Sequence, residues 1–180
     1  MTITVHAPNV LDGDLLEESY ELYERLFRKI NEQAAQRHLM TRPEYNVVAS
    51  DRRVTKYLAY DGGRLVGVST LLNDLDAWPL LSPAYYRRRF PEQYAARQIW
   101  YVGYVGAARP LVFPELVGAM YPRVARGIVA MDFCTRRQLD ELPQKTHEML
   151  HMLSGGSVRA ARLDDQATYA YRFDGVEFTA

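Results

Sequence analysis

Residues 54–72 read VTKYLAYDGGRLVGVSTLL. Two runs rich in apolar, β-branched and aromatic residues flank Asp61-Gly62-Gly63, and Asp-Gly and Gly-Gly supply the positive backbone angles that a tight turn requires. The stretch is read as a β-hairpin. Its place in the chain gives it meaning, because helical pattern precedes it and a strand followed by a helix comes after it.

Upstream, residues 2–6 alternate like a short strand. After the Asp12-Gly13-Asp14 cap signal, Leu15, Leu16, Tyr20, Tyr23, Phe27 and Ile30 recur at helical spacing, which predicts a helix over 15–30. A second helical piece falls within 31–50, broken near Pro43. Downstream, residues 84–97 (AYYRRRFPEQYAAR) read as a surface excursion with one or two helical turns. Residues 99–107 return as an aromatic strand interrupted by Gly103 and Gly106, where an interior glycine suggests a bulge. A helix is predicted over 113–126, with Pro114 in its first turn and an early end or kink at Pro122. Residues 127–134 (GIVAMDFC) read as a buried strand and 139–153 as a helix closed by Ser154-Gly155-Gly156. Two last strand candidates, 157–163 and 167–173, pivot on residues 164–166. This order calls for one α/β domain over 1–180 with a mixed, mostly antiparallel sheet and helices on both faces.

With 48% hydrophobic and 24% charged residues among 180, the chain holds apolar material for one core rather than two. Its 22 basic and 22 acidic residues cancel, so no whole-molecule field gathers nucleic acid or an anionic membrane. Neither a basic, apolar leader nor an 18-residue apolar run occurs, which leads to the expectation of a cytoplasmic protein without a membrane span. One cysteine, Cys134, forms no internal disulfide and no cysteine-cluster metal site.

The layout resembles the GNAT fold of acyl-CoA N-acyltransferases, with 56–72 as the central hairpin and 99–126 as the strand-to-helix unit. Within that superfamily the pattern is most similar to the acyl-homoserine-lactone (autoinducer) synthases and the long-chain N-acyl amino acid synthases. Residues 45–60, Arg64-Leu65-Val66-Gly67 with Leu71-Leu72, 85–91 and Ile99-Trp100 carry the resemblance. It departs from the autoinducer synthases at Thr70, Tyr101 and Tyr104, where that branch carries an arginine, a glutamate and an arginine. What the resemblance implies is an N-acyltransferase that moves an acyl group from a thioester to a small-molecule or peptide amine. The thioester, acyl-phosphopantetheine on an acyl carrier protein or acyl-CoA, is a co-substrate, and no tightly bound cofactor is expected.

In GNAT enzymes a glycine-rich loop after the fourth strand holds the coenzyme A pyrophosphate on backbone amides. Here that stretch, residues 106–114, places Pro110 and Pro114 where amide donors are needed. An ordinary loop before a Pro-started helix explains this, and so does a carrier-protein donor with a single phosphate. The expected donor-binding set is Val102, Gly103, Val105, Gly106, Ala107 and Arg109. Arg87, Arg88 and Arg89 form the densest basic run, read either as a solvated face or as a docking surface for an acidic carrier protein.

The resemblance puts the reacting groups where the fourth and fifth strands part, which brings Tyr101, Tyr104, Asp132 and Cys134 into view. Asp132, in an otherwise apolar segment, is the candidate base, since burial would raise its pKa toward a useful range; capping or pairing with Arg136 is the alternative. Tyr101 and Tyr104 serve as proton donors or as packing, and Cys134 as an acylated thiol or a small buried hydrophobe. An aromatic set of Trp78, Tyr85, Tyr86, Phe90, Tyr94, Trp100, Tyr101 and Tyr104 is either a ligand wall or core.

A competing signal is HEMLH at 147–151, a literal H-E-x-x-H that on a helix presents His147 and His151 one turn apart for zinc, as in a metallopeptidase. The apolar stripe of that helix runs through Leu142, Thr146, Met149, Leu150 and Leu153, with both histidines off it. A non-catalytic acyl- or aromatic-ligand binder on the same scaffold is the remaining reading.

Overall fold

The computed structural model describes residues 2–34, 36–79 and 81–164. Its elements are β1 (Ile3–His6), α1 (Gly13–Phe27), α2 (Ile30–Gln33), α3 (Arg42–Ser50), β2 (Val54–Asp61), β3 (Arg64–Leu72), α4 (Pro83–Arg89), α5 (Pro91–Ala95), β4 (Ile99–Ala107), α6 (Val112–Val124), β5 (Ile128–Ala130) and α7 (Arg136–Leu153), with a 3-10 turn at Leu75–Ala77. The strands lie in the order β1-β2-β3-β4-β5. All neighbours are antiparallel except β4 and β5, which run parallel.

The hairpin closes as its sequence requires. Asp61 pairs with Arg64, leaving Gly62 and Gly63 as the two turn residues at φ 56° and 83°, a conformation that glycine adopts without the Cβ penalty. Two helical layers then enclose the sheet. Against one face, Val112, Leu116 and Met120 of α6 pack on Tyr57, Ala59, Leu71 and Val102. Against the other, Leu22 and Tyr23 of α1 and Tyr45 of α3 meet Leu58 and Val68. A third cluster joins Leu72, Leu75, Tyr86, Ile99 and Tyr101 beneath the excursion.

Proline placement corrects two expectations. Pro43 starts α3 instead of breaking a helix: it occupies the first turn, where no intrahelical amide is lost, just after Thr41, whose backbone N–H and hydroxyl both donate to Glu44 Oε2 at 2.7 and 2.8 Å. Pro122 is tolerated inside α6, which runs on to Val124. The buried strand expected over 127–134 is a strand only at Ile128–Ala130, and its pairing with β4 ends at Tyr101, just before the bulge that β4 carries against β3. Residues 157–163, expected as a strand, form none; the candidate at 167–173 lies outside the described residues.

Candidate active site at the fork of β4 and β5

Strands β4 and β5 pair at Ile99 with Ile128, Trp100 with Val129 and Tyr101 with Ala130, and there the pairing ends. On its other side β4 matches Leu71 with Val102 but Ser69 with Val105. Gly103 and Tyr104 therefore oppose Thr70 alone, an extra-residue bulge of the kind expected at Gly103, whereas Gly106 pairs regularly with Val68. Glycine is required at the bulge by contact. A Cβ on residue 103 would meet the Trp78 indole, with one ring carbon 2.6 Å away, and Thr70 Oγ1 at 2.7 Å.

At the mouth of the fork, Tyr101 donates its hydroxyl to Asp132 Oδ1 at 2.8 Å, and the Cys134 thiol donates to Asp132 Oδ2 at 3.6 Å. Three of the four expected reacting groups thus meet. Asp132 itself is exposed, not buried as expected, since it lies past the end of β5, and its hydrogen bonds run to Tyr101 and Cys134 instead of Arg136. Burial, then the Asp132 charge, raises the Tyr101 hydroxyl well above its ordinary value, so it serves as a fixed donor to the carboxylate. The same two causes push the Cys134 thiol up to about 12, which opposes thiolate formation. Thr135 caps α7 and the Gln138 side chain accepts from the Cys134 and Thr135 amides at 2.9 and 3.1 Å, fixing the backbone that carries the thiol.

Tyr104 does not join them. The bulge sets it on the α1 face, with its ring 4.9 Å from that of Tyr23 and 5.7 Å from that of Phe27, and burial raises its hydroxyl far above the ordinary range. It is core. The expected aromatic wall divides similarly: Tyr86 and Tyr101 with Trp78, Tyr85, Phe90 and Tyr94 form one cluster, while Trp100 and Tyr104 pack elsewhere.

Around the expected donor loop, the Ala108 amide donates to Val66 O at 2.9 Å, and the Val112 and Phe113 amides donate to the carbonyls of Arg109 and Pro110 at 3.1 and 3.4 Å. Those amides are engaged, and Pro110 and Pro114 have none to offer. The Arg109 guanidinium pairs with Asp61 of the hairpin. Beside the fork, a cavity of about 40 Å³ lies between β4, α6 and α7, lined in part by Val102, Val105, Met120, Met131, Met149 and Leu150. Arg87, Arg88 and Arg89 are exposed in the last turn of α4, with Arg87 stacked over Tyr94, 5.2 Å from the ring centroid.

His147 and His151 sit one turn apart on α7 with ring centroids 5.9 Å apart. Among the described residues, no third histidine, cysteine, aspartate or glutamate gathers with them. A different histidine does approach the fork. His38, in the loop before α3, brings a ring nitrogen within 4.8 Å of the Asp132 and Cys134 donor atoms. Nothing in its local sequence marks it, nor marks Trp78 as the cover of Gly103, since both contacts arise only from tertiary packing.

A mostly antiparallel sheet whose fourth and fifth strands run parallel and then part decides the architecture. The chain has the GNAT fold. An aminoglycoside acetyltransferase, meta-AAC0020 from an uncultured soil metagenomic sample, solved with sisomicin, superposes with a TM-score of 0.51 at 14% identity over 94% of this chain and 97% of that one. The aminoglycoside N-acetyltransferase AAC(6')-Iy, solved with a coenzyme A bisubstrate analogue, gives 0.50 at 10% identity over 93% and 99%. No protein-family model matches the sequence, and neither does any curated protein. At such identities the likeness is one of fold, and it does not narrow to the autoinducer-synthase branch. Among the described residues, no helix is long and apolar enough to cross a membrane.

Proposed function

We propose that this protein is an N-acyltransferase that moves an acyl group from a phosphopantetheine thioester to an amine at the fork of β4 and β5. The observation that carries the reading is the Tyr101–Asp132 pair at 2.8 Å, set where the two strands separate on a fold shared with N-acetyltransferases.

The amine attacks the thioester carbonyl carbon, and Asp132, exposed to an incoming acceptor, takes the proton that the nitrogen sheds. Tyr101 holds the carboxylate through Oδ1, and Oδ2, to which the Cys134 thiol donates, is the oxygen that takes the proton. Negative charge developing on the carbonyl oxygen meets a backbone amide of the Gly103–Tyr104 bulge, where ladder pairing is interrupted. Collapse forms the amide and breaks the carbon–sulfur bond, and the proton held by Asp132 passes to the departing thiolate.

Carrier-protein phosphopantetheine is the favoured donor. Engaged or missing amides around Pro110 and Pro114 suit one phosphate better than a pyrophosphate, and exposed Arg87, Arg88 and Arg89 suit an acidic partner. Coenzyme A is the second reading, favoured by the analogue bound to AAC(6')-Iy. Sisomicin on meta-AAC0020 supports a small-molecule amine as acceptor. Calorimetry with acetyl-CoA tests the donor: weak or absent binding is expected, and a tight saturable isotherm would establish coenzyme A instead. Arg87→Glu with Arg88→Glu should abolish transfer from a carrier protein while sparing a small thioester mimic; equal loss with both donors would remove the docking role.

A further inference from the structure

The fork holds more ligand chemistry than acyl transfer uses. His38 arrives from the loop before α3, and Asp132 and Cys134 from the segment joining β5 to α7. An imidazole nitrogen, a carboxylate oxygen and Sγ all lie within 4.8 Å of one another. In a tetrahedral zinc site with bonds of about 2.3 Å to sulfur and about 2.0 Å to oxygen, those two ligand atoms are about 3.5 Å apart. Cys134 Sγ and Asp132 Oδ2 stand at 3.6 Å, so one edge of the tetrahedron already has metal-site dimensions.

The supports of these three side chains match what a metal site needs. Tyr101 occupies Asp132 Oδ1 and leaves Oδ2 for a cation, the outer hydrogen bond that orients a ligating carboxylate. The backbone amides of His38 and Leu39 both donate to Asn31 Oδ1, at 3.0 and 3.1 Å, and Arg37 pairs with Glu44 through two contacts of 2.6 Å, so the histidine loop is held at both flanks. Cys134 immediately precedes the N-cap of an 18-residue helix, and the Gln138 side chain, accepting from the Cys134 amide at 2.9 Å, holds the backbone that carries Sγ. Exposed Asp132 and half-buried His38 and Cys134 leave an entry path from solvent.

We propose that His38, Asp132 and Cys134 form a binding site for one zinc-class divalent cation, with three protein ligands and a fourth position open to water. Nitrogen, oxygen and sulfur together select zinc or cobalt over magnesium or calcium. Binding expels the thiol proton, because a coordinating thiol is deprotonated. Resting on the acyl-transfer reading, a further consequence is that the ion takes Asp132 away from the amine, so zinc silences turnover; the metal site itself does not depend on that reading.

Cobalt(II) titration of chelator-treated full-length protein tests the site. The expected result is one equivalent bound, with a thiolate-to-cobalt charge-transfer band in the near ultraviolet and intense visible bands of tetrahedral cobalt. Cys134→Ser should remove the charge-transfer band, His38→Ala should weaken binding by about tenfold or more, and Tyr101→Phe by about tenfold. Absence of the band in the wild-type protein overturns the proposal without reference to any variant. So does a band unchanged in Cys134→Ser, or binding lost in His147→Ala instead. Cobalt binding in a protein that turns over no acyl thioester would leave the metal site standing and remove the enzyme reading. Turnover without cobalt binding would do the reverse.

Discussion

Tyr101 and Asp132 face each other across the opening between β4 and β5, with the tyrosine hydroxyl donating to Oδ1 at 2.8 Å. The pair forms where β5 stops at Ala130, the register partner of Tyr101 on β4, so that Asp132, two residues past the strand end, meets the tyrosine of the neighbouring strand. Asp132→Asn keeps the shape but removes the basic oxygen, and acyl transfer should fall by about 10²- to 10⁴-fold. Tyr101→Phe removes a positioning hydrogen bond: kcat should drop by about tenfold with the KM for the thioester unchanged, read from steady-state kinetics on both variants.

The Cys134 thiol, pushed up to about 12 by burial and by Asp132, should resist alkylation. As the chain's one cysteine, it reports without ambiguity. In metal-free protein at pH 8, iodoacetamide should modify it about a hundredfold or more slowly than free cysteine, and Asp132→Asn should speed the reaction by about tenfold through loss of the neighbouring charge. Mass spectrometry of timed samples checks both rates.

Gly103 fits under Trp78 with no room for a methyl group. Gly103→Ala should cost about 1–3 kcal/mol of unfolding free energy. Trp78→Leu opens the same space, so the double variant should be more stable than the sum of the single losses implies, with a coupling of about 0.5–3 kcal/mol. Urea denaturation of the four proteins gives that cycle.

Lys56 is 1% exposed, with Nζ donating to the carbonyls of Asn9 and Asp51 at 2.7 Å each. Desolvation lowers its pKa to about 8. Because the folded value lies below that of the unfolded chain at about 10.4, the unfolded state binds more protons across this window, and the Lys56 contribution to stability grows as pH rises from about 8 to about 10. Nitrogen-15 detected titration should find Lys56 near 8; a Lys56 titration at the unfolded-chain value of about 10.4 would contradict the burial cost.

The hairpin, the 99–107 strand and its bulge were legible because glycine pairs, β-branched runs and interior glycines act locally. Asp132 and Cys134 were legible as chemistry, since each stands out in an apolar segment, but not as geometry. Their segment reads as strand on composition, but its pairing with β4 ends at Ala130, next to a bulge that depends on tertiary contacts of Gly103 with Trp78 and Thr70. Tyr104 reads the same as Tyr101 in sequence; the extra residue at the bulge places it among Tyr23, Phe27 and Tyr45. His38 was invisible, because a loop histidine distant in sequence is brought near the fork by contacts through Asn31 and Glu44.

Acyl transfer at the fork is read as amine-dependent thiol release from an acyl thioester, measured on metal-free protein with carrier-protein and coenzyme A donors and a panel of amines. Multiple turnovers are expected that need both substrates, yield the amide by mass spectrometry and all but vanish in Asp132→Asn. Absence of amine-dependent release across the panel, or release undiminished in Asp132→Asn, would contradict acyl transfer at the fork.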